Sequence, residues 1–129
     1  MCENLDSVDL PDSLEIIGQN SFLGCISLEI IEFPESLKII GDGAFCGCKK
    51  LENVKLPDSL KSIGGASFVH CKIKSIYIPE SVESIGENCF TVSSNDPDAV
   101  FVEEIRGAKG SYAERYAKEN GITFVEETK

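Results

Sequence analysis

Apolar residues recur along this chain with a period longer than any helix or strand provides. From Phe33 they fall at Leu37, Ile40, Phe45, Cys48, Leu51 and Val54, and the same spacing restarts at Leu56. Each turn of the pattern carries one phrase: Leu10-Pro11-Asp12-Ser13-Leu14, Phe33-Pro34-Glu35-Ser36-Leu37, Leu56-Pro57-Asp58-Ser59-Leu60 and Ile78-Pro79-Glu80-Ser81-Val82. The unit is 23 residues long, shortened to 22 in the third coil by a deletion after Cys71. A period of this length marks a solenoid, whose coils bury their apolar faces only against neighbouring coils.

Two extended segments are predicted in each coil. Equivalent side chains on successive coils stack about 4.8 Å apart, so apolar positions that recur in phase must form core ladders. Leu28, Ile31 and Phe33, with Leu51, Val54, Leu56 and Ile73, Ile76, Ile78, read as the inward residues of a first strand. Leu14 and Ile17, Leu37 and Ile40, Leu60 and Ile63, Val82 and Ile85 read as a second inward stripe. That stripe ends at Gly18, Gly41, Gly64 and Gly86, for which tight turns with positive φ are expected. The recurring proline marks a corner where no ladder donor is needed. Ser13, Ser36, Ser59 and Ser81 recur in phase, which argues for turn hydrogen bonding rather than nucleophilic chemistry.

Cys2, Leu5, Val8 and Leu10 match Cys25, Leu28, Ile31 and Phe33, so residues 1–10 form a partial coil and residues 11–90 the repeat coils. Polar residues from Thr91 to Asp98 interrupt the period, giving an insertion loop over 91–99. Residues 100–129 read as a C-terminal cap. Ser111 and Glu114 make a capping box, Tyr112, Ala113, Tyr116 and Ala117 share one helix face, and Gly121 suits a left-handed stop before a strand through Ile122 and Phe124. Leu5, Val8, Leu10 and Cys2 are left at an uncovered apolar end, where terminal repeats ordinarily present a polar face. Either preceding residues have been removed or another chain is expected to pack there.

The run Pro-x-Ser-Leu/Val-x-x-Ile-Gly-x-x-x-Phe-x-x-Cys-x-x-Leu-x-x-Ile closely resembles the BspA-like leucine-rich repeat, over nearly the whole chain. Gly107 to Ala117 resembles the segment that closes many such arrays. The resemblance implies a single domain over 1–129, a mostly β, α/β-type solenoid of right-handed coils of 22–23 residues with a helix-strand cap. It further implies a cell-surface or secreted protein whose role is adhesion or other protein binding, without catalytic residues.

Composition narrows the function. With 42% apolar and 26% charged residues the chain is ordinary globular material, and its apolar runs are far too short to cross a bilayer. Twelve basic residues against 22 acidic ones leave a formal charge of −10, which disfavours nucleic acid and anionic membrane surfaces and favours a basic or neutral partner. No basic segment followed by an apolar one begins the chain, so no signal peptide is visible there. Of six cysteines, Cys2, Cys25, Cys48 and Cys71 share one repeat position and read as buried free thiols, because parallel Cβ vectors in a ladder do not suit a disulfide. Cys46 and Cys89 fall elsewhere in their coils and are the candidates for exposed thiols. A zinc site from Cys46, Cys48, His70 and Cys71 would take two thiols out of the core, so no metal and no cofactor is expected. Gly107-Ala108-Lys109-Gly110-Ser111 lacks the Gly-Lys-Ser/Thr order of a phosphate loop. No enzyme is expected.

The outward positions of the first strand form three rows: Asp6, Glu29, Glu52, Lys74; Ser7, Ile30, Asn53, Ser75; and Asp9, Glu32, Lys55, Tyr77. Glu52 with Lys74 and Glu32 with Lys55 are expected to pair across coils. Asp6, Asp9, Glu29 and Glu32 for charge, with Ile30 and Tyr77 for contact area, are the candidate ligand-binding residues. The expected function is a non-catalytic protein-interaction module, an adhesin-like fragment of a larger surface protein with a basic or host extracellular protein as partner. The alternative is a structural repeat segment that self-associates through its N-terminal coil.

Overall fold

A computed structural model describes residues 5–90 and 102–127 of the chain. The insertion loop over 91–99, Cys2 and the start of the partial coil lie outside these residues. The first-strand segments appear as β1 (Ser7–Asp9), β3 (Ile30–Glu32) and β6 (Ser75–Tyr77), and the second as β2 (Ile16–Ile17), β4 (Ile39–Ile40), β5 (Ser62–Ile63) and β7 (Ser84–Ile85). The cap contributes β8 (Glu104–Gly107), α1 (Tyr112–Glu119) and β9 (Thr123–Glu126). All strand pairs are parallel, and they follow the sequence register: Ser7 lies beside Ile30, Ile17 beside Ile40, Ile40 beside Ile63 and Ile63 beside Ile85. The chain is thus a mostly β solenoid of about five turns, with one short helix among the described residues.

The inward ladders are buried as the period requires. Leu28, Ile31, Leu37, Ile40, Leu51, Leu56, Leu60, Ile63, Ile73, Ile76, Ile78 and Val82 form one core with Phe45, Phe68 and Phe90. The phenylalanines make a spine, with Phe22 on Phe45, Phe45 on Phe68 and Phe68 on Phe90 at centroid separations of 5.2, 5.3 and 5.8 Å and nearly parallel rings. Offset stacks of this kind add to the area each ring already buries.

Two repeat positions work differently from the sequence expectation. Gly41, Gly64 and Gly86 do not have positive φ; the left-handed glycines are Gly24, Gly43, Gly47, Gly110 and Gly121. What excludes a side chain at the repeat glycine is the coil beneath: a Cβ on Gly41 would lie 2.7 Å from the Gln19 nitrogen, and those on Gly64 and Gly86 would meet the main-chain nitrogens of Asp42 and Gly65. Two of the phase serines bond between coils rather than within a turn. Ser36 Oγ donates to Leu14 O at 2.6 Å and Ser59 Oγ to Leu37 O at 2.6 Å, so these hydroxyls are rungs to the preceding coil, whereas the buried Ser81 Oγ has no partner among the described residues.

The cap forms as expected, with one variation. Ser111 caps α1 by accepting from Glu114 N–H, but Glu114 Oε1 accepts from Gly110 N–H at 2.7 Å, one residue earlier than a capping box would place it. β8 pairs with β6, β9 pairs with β8, and Ala113, Tyr116 and Ala117 bury against them. Tyr112 Oη accepts the N–H of Ile85 at 3.2 Å, supplying a partner to the last strand of the second sheet. Tyr116 meets Phe90 in a T-shaped contact at 6.1 Å and stacks in turn on Tyr112 of its own helix at 6.4 Å.

Candidate functional site

Alternation along the first strand sends one side chain inward and the next outward, so the outward rows inherit their geometry from the core. Ile31 is buried between exposed Ile30 and Glu32, and the β1–β3 register sets Asp9 beside Glu32 and Ser7 beside Ile30. Glu29 and Ile30 both donate their N–H groups to Asp6 O, at 3.0 and 3.3 Å. Five of the six candidate residues, Asp6, Asp9, Glu29, Ile30 and Glu32, are therefore brought together on two paired strands. Four of these are carboxylates, and they surround Ile30, which is 60% exposed.

Tyr77 lies apart from this group. It is half-buried on β6, beside Arg106 in the register, and lines a separate cleft with Val54, Lys55, Leu56 and Glu127. Arg106 Nη1 reaches Glu127 Oε1 at 3.1 Å, and its Nε lies 3.8 Å from Glu104 Oε1. Arg106 and Glu127 were not among the sequence candidates. Val102 and Ile105 continue the spacing of Ile73 and Ile76, so carrying the outward row one coil further would have found Arg106. Glu127 comes from the cap and has no signal in the repeat.

The expected pairs Glu32–Lys55 and Glu52–Lys74 are not formed among the described residues. The reason lies in the backbone. The first sheet is in two parts, β1 with β3 and β6 with β8 and β9, and the intervening segment of coil three belongs to neither. Glu103 and Glu104 donate to Lys74 O as Glu29 and Ile30 do to Asp6 O, but among the described residues no main-chain bond reaches residues 52–56. The second sheet runs unbroken through β2, β4, β5 and β7. There Lys38 Nζ meets Glu15 Oε1 at 3.1 Å. The open seam between β3 and coil three is a cleft of about 480 Å³, walled by Ile30, Ile31, Glu32 and Phe33 on one side and Asn53, Lys55, Leu56 and Pro57 on the other.

Among the described residues no group of three or more His, Cys, Asp and Glu is placed to hold a metal ion. Cys48 Sγ donates to Phe22 O and Cys71 Sγ to Phe45 O, at 3.2 and 3.1 Å, each one coil back. Burial pushes the Cys48 thiol up to about 11 and the Cys89 thiol up to about 12. Cys89 is thus a core residue and not the exposed thiol expected from its position; Cys46 is half-buried. Cys25 departs from the free-thiol reading: it is disulfide-bonded, with a partner outside the described residues. His70 is exposed and adopts φ 63° at a turn, away from any ligand cluster. No helix among the described residues is long and apolar enough to cross a membrane.

Residues 1–99 match six copies of the BspA type leucine-rich repeat region. A leucine-rich repeat protein from Bacteroides ovatus ATCC 8483 is similar in structure, with a TM-score of 0.67 and 34% identity over 81% of this chain and 32% of its own. The leucine-rich repeat protein of T. pallidum is similar with a TM-score of 0.72 and 36% identity over 81% of this chain and 47% of its own. The chain therefore spans about a third of the first protein's length and just under half of the second's. No curated protein sequence matches it.

Proposed function

The chain belongs to the BspA-type leucine-rich repeat family, and from that premise we propose that it is a non-catalytic protein-binding module, an adhesin-like segment of a larger cell-surface or secreted protein. The observation that supports this reading is the outward face of β1 and β3. Four carboxylates, Asp6, Asp9, Glu29 and Glu32, surround the exposed Ile30 on strands held rigidly by the core beneath. Such a face raises the encounter rate of a basic partner and offers an apolar contact at its centre. A biosensor titration of the full chain against a panel of basic extracellular proteins, at low and high salt, tests it. Salt-sensitive capture that is lost in Glu29→Lys/Glu32→Lys is expected. Capture unchanged by this variant would move the site elsewhere, and no capture at all would overturn the basic-partner reading.

A second reading rests on the first coil. Leu5 is 37% exposed there, whereas its counterparts Leu28 and Leu51 are fully buried. A Cβ on Gly18 would meet only Ser21 Oγ at 3.4 Å, whereas its counterparts press on the backbone of a neighbouring coil. This flank is shaped to receive another coil, and the segment would then also serve in assembly. Light scattering across concentration, compared with Leu5→Glu, tests it: a dimer broken by the substitution is expected, and a monomer at all concentrations excludes it.

A further inference from the structure

From the split in the first sheet we propose that the seam between β3 and coil three docks an extended, basic segment of the partner protein through main-chain hydrogen bonds. The inference rests on the reading of the chain as a protein-binding module and specifies where and how the partner is held.

Three observations converge on the seam. The first is the unused backbone. Ile30 N–H donates to Asp6 O, so Ile30 and Glu32 turn their main-chain groups toward β1, and those of Ile31 turn the opposite way, toward coil three. β3 has no partner on that side, and across the seam residues 52–56 make no main-chain bond among the described residues. Both walls therefore present unpaired main-chain donors and acceptors, the feature by which added strands bind in other proteins.

The second observation is that the opening is confined to one side of the coil. Lys61 and Ser62 donate to Lys38 O, and Glu83 donates to Lys61 O, so the second sheet carries coil three in full register. Coil three is thereby held at a fixed distance from coil two at the back, while its first-strand segment stands free at the face. The result is a preformed cleft, so no existing ladder bond has to break when a strand is added.

The third is charge and side-chain character. Glu32 and Glu35 line the cleft with Lys55 as the one cation, and Asp6, Asp9 and Glu29 lie just beyond its β1 side. Ile30 and Phe33 give apolar footing between the carboxylates. A segment alternating basic and apolar residues matches this wall, since alternate side chains of a strand face opposite ways. An acidic segment is repelled.

The test uses the full chain and a fluorescein-labelled peptide of alternating arginine and valine. Copies N-methylated at all valines or at all arginines keep the charge but remove donors from one strand edge. The parent peptide is expected to bind and to slow amide exchange at residues 52–56. The methylated copies should bind about tenfold more weakly, the loss of two or so main-chain bonds. Asn53→Pro, which removes an N–H that no described residue accepts, should weaken the parent peptide similarly without shifting the melting temperature. Equal binding of parent and methylated peptides would overturn strand docking and leave charge capture by the face, and with it the module. No binding of any peptide, with capture of a basic protein retained on the biosensor, would overturn the docking alone. Loss of both would overturn the module itself.

Discussion

Cys48 and Cys89 are packed as small apolar groups, and their chemistry follows from that packing. In the unfolded chain both thiols ionise near 9.0, whereas burial pushes them up to about 11 and about 12 in the fold. The unfolded state therefore releases protons above pH 9 that the native state keeps. The stability these thiols contribute is complete below pH 9 and is lost as pH rises toward the folded values, by at most about 1.4 kcal/mol per thiol for each pH unit. Thermal melts from pH 8 to 11 should show this decline, and Cys48→Ala should make it shallower while Cys71 and Cys89 keep the rest; a level profile would mean the thiols are not held neutral. Thiol titration in denaturant should count four free groups without reductant and six after reduction, because Cys25 is oxidised. The period identified these cysteines as core but could not distinguish neighbours in phase that bond from neighbours that merely stack. Cys89 was misread because its coil position is filled by Ser21 in the first coil, whereas the structure buries that position fully in the later coils, at Ala44, Ser67 and Cys89.

The elements show which repeat positions serve the coil and which serve its contact with the next. Strand register, the inward ladders and the helix with its caps were all legible, since each follows from the spacing of apolar side chains or from Ser111, Glu114 and Gly121. The glycine and serine positions were placed correctly and explained wrongly, because a sequence cannot show how near a backbone two dozen residues away will come. The difference is testable. Gly64→Ala puts a methyl group into the main chain of Gly41 and Asp42 and should destabilise the fold by about 1–3 kcal/mol, the usual range for overpacking. Gly18→Ala, with only ordinary contact around it, should change the melting temperature little. If both substitutions behave alike, backbone freedom and not coil contact governs the position.

On the scale of the whole molecule, each coil depends on its neighbours, so damage at the centre should be felt most. Phe45 stacks on Phe22 and Phe68 and takes Phe33 edge-on. Phe45→Ala should cost about 3–5 kcal/mol, read as a shift in the urea midpoint, whereas Phe22→Ala, at a half-buried ring, should cost less. Of the candidate face, the cluster on β1 and β3 was legible because one register fixes it. The separation of Tyr77 and the missing cross-coil ion pairs were not, because Leu51, Val54 and Leu56 carry the full apolar pattern of a strand while the segment stays unpaired. Hydrophobic phase reports which way a side chain points and is silent on whether its backbone has found a partner.

The aromatic spine has one end that differs from all its interior steps. Phe22, Phe45, Phe68 and Phe90 lie with nearly parallel planes, so the repeat can set a further ring on any of them, but Tyr116 meets Phe90 at 76° and pairs with Tyr112 of its own helix. At this step the ring plane turns out of the direction in which the coils repeat. The stack consequently has a direction: a duplicated coil spliced in ahead of Phe90 would find each ring contact repeated, whereas one placed after the cap would meet ring planes turned away from it.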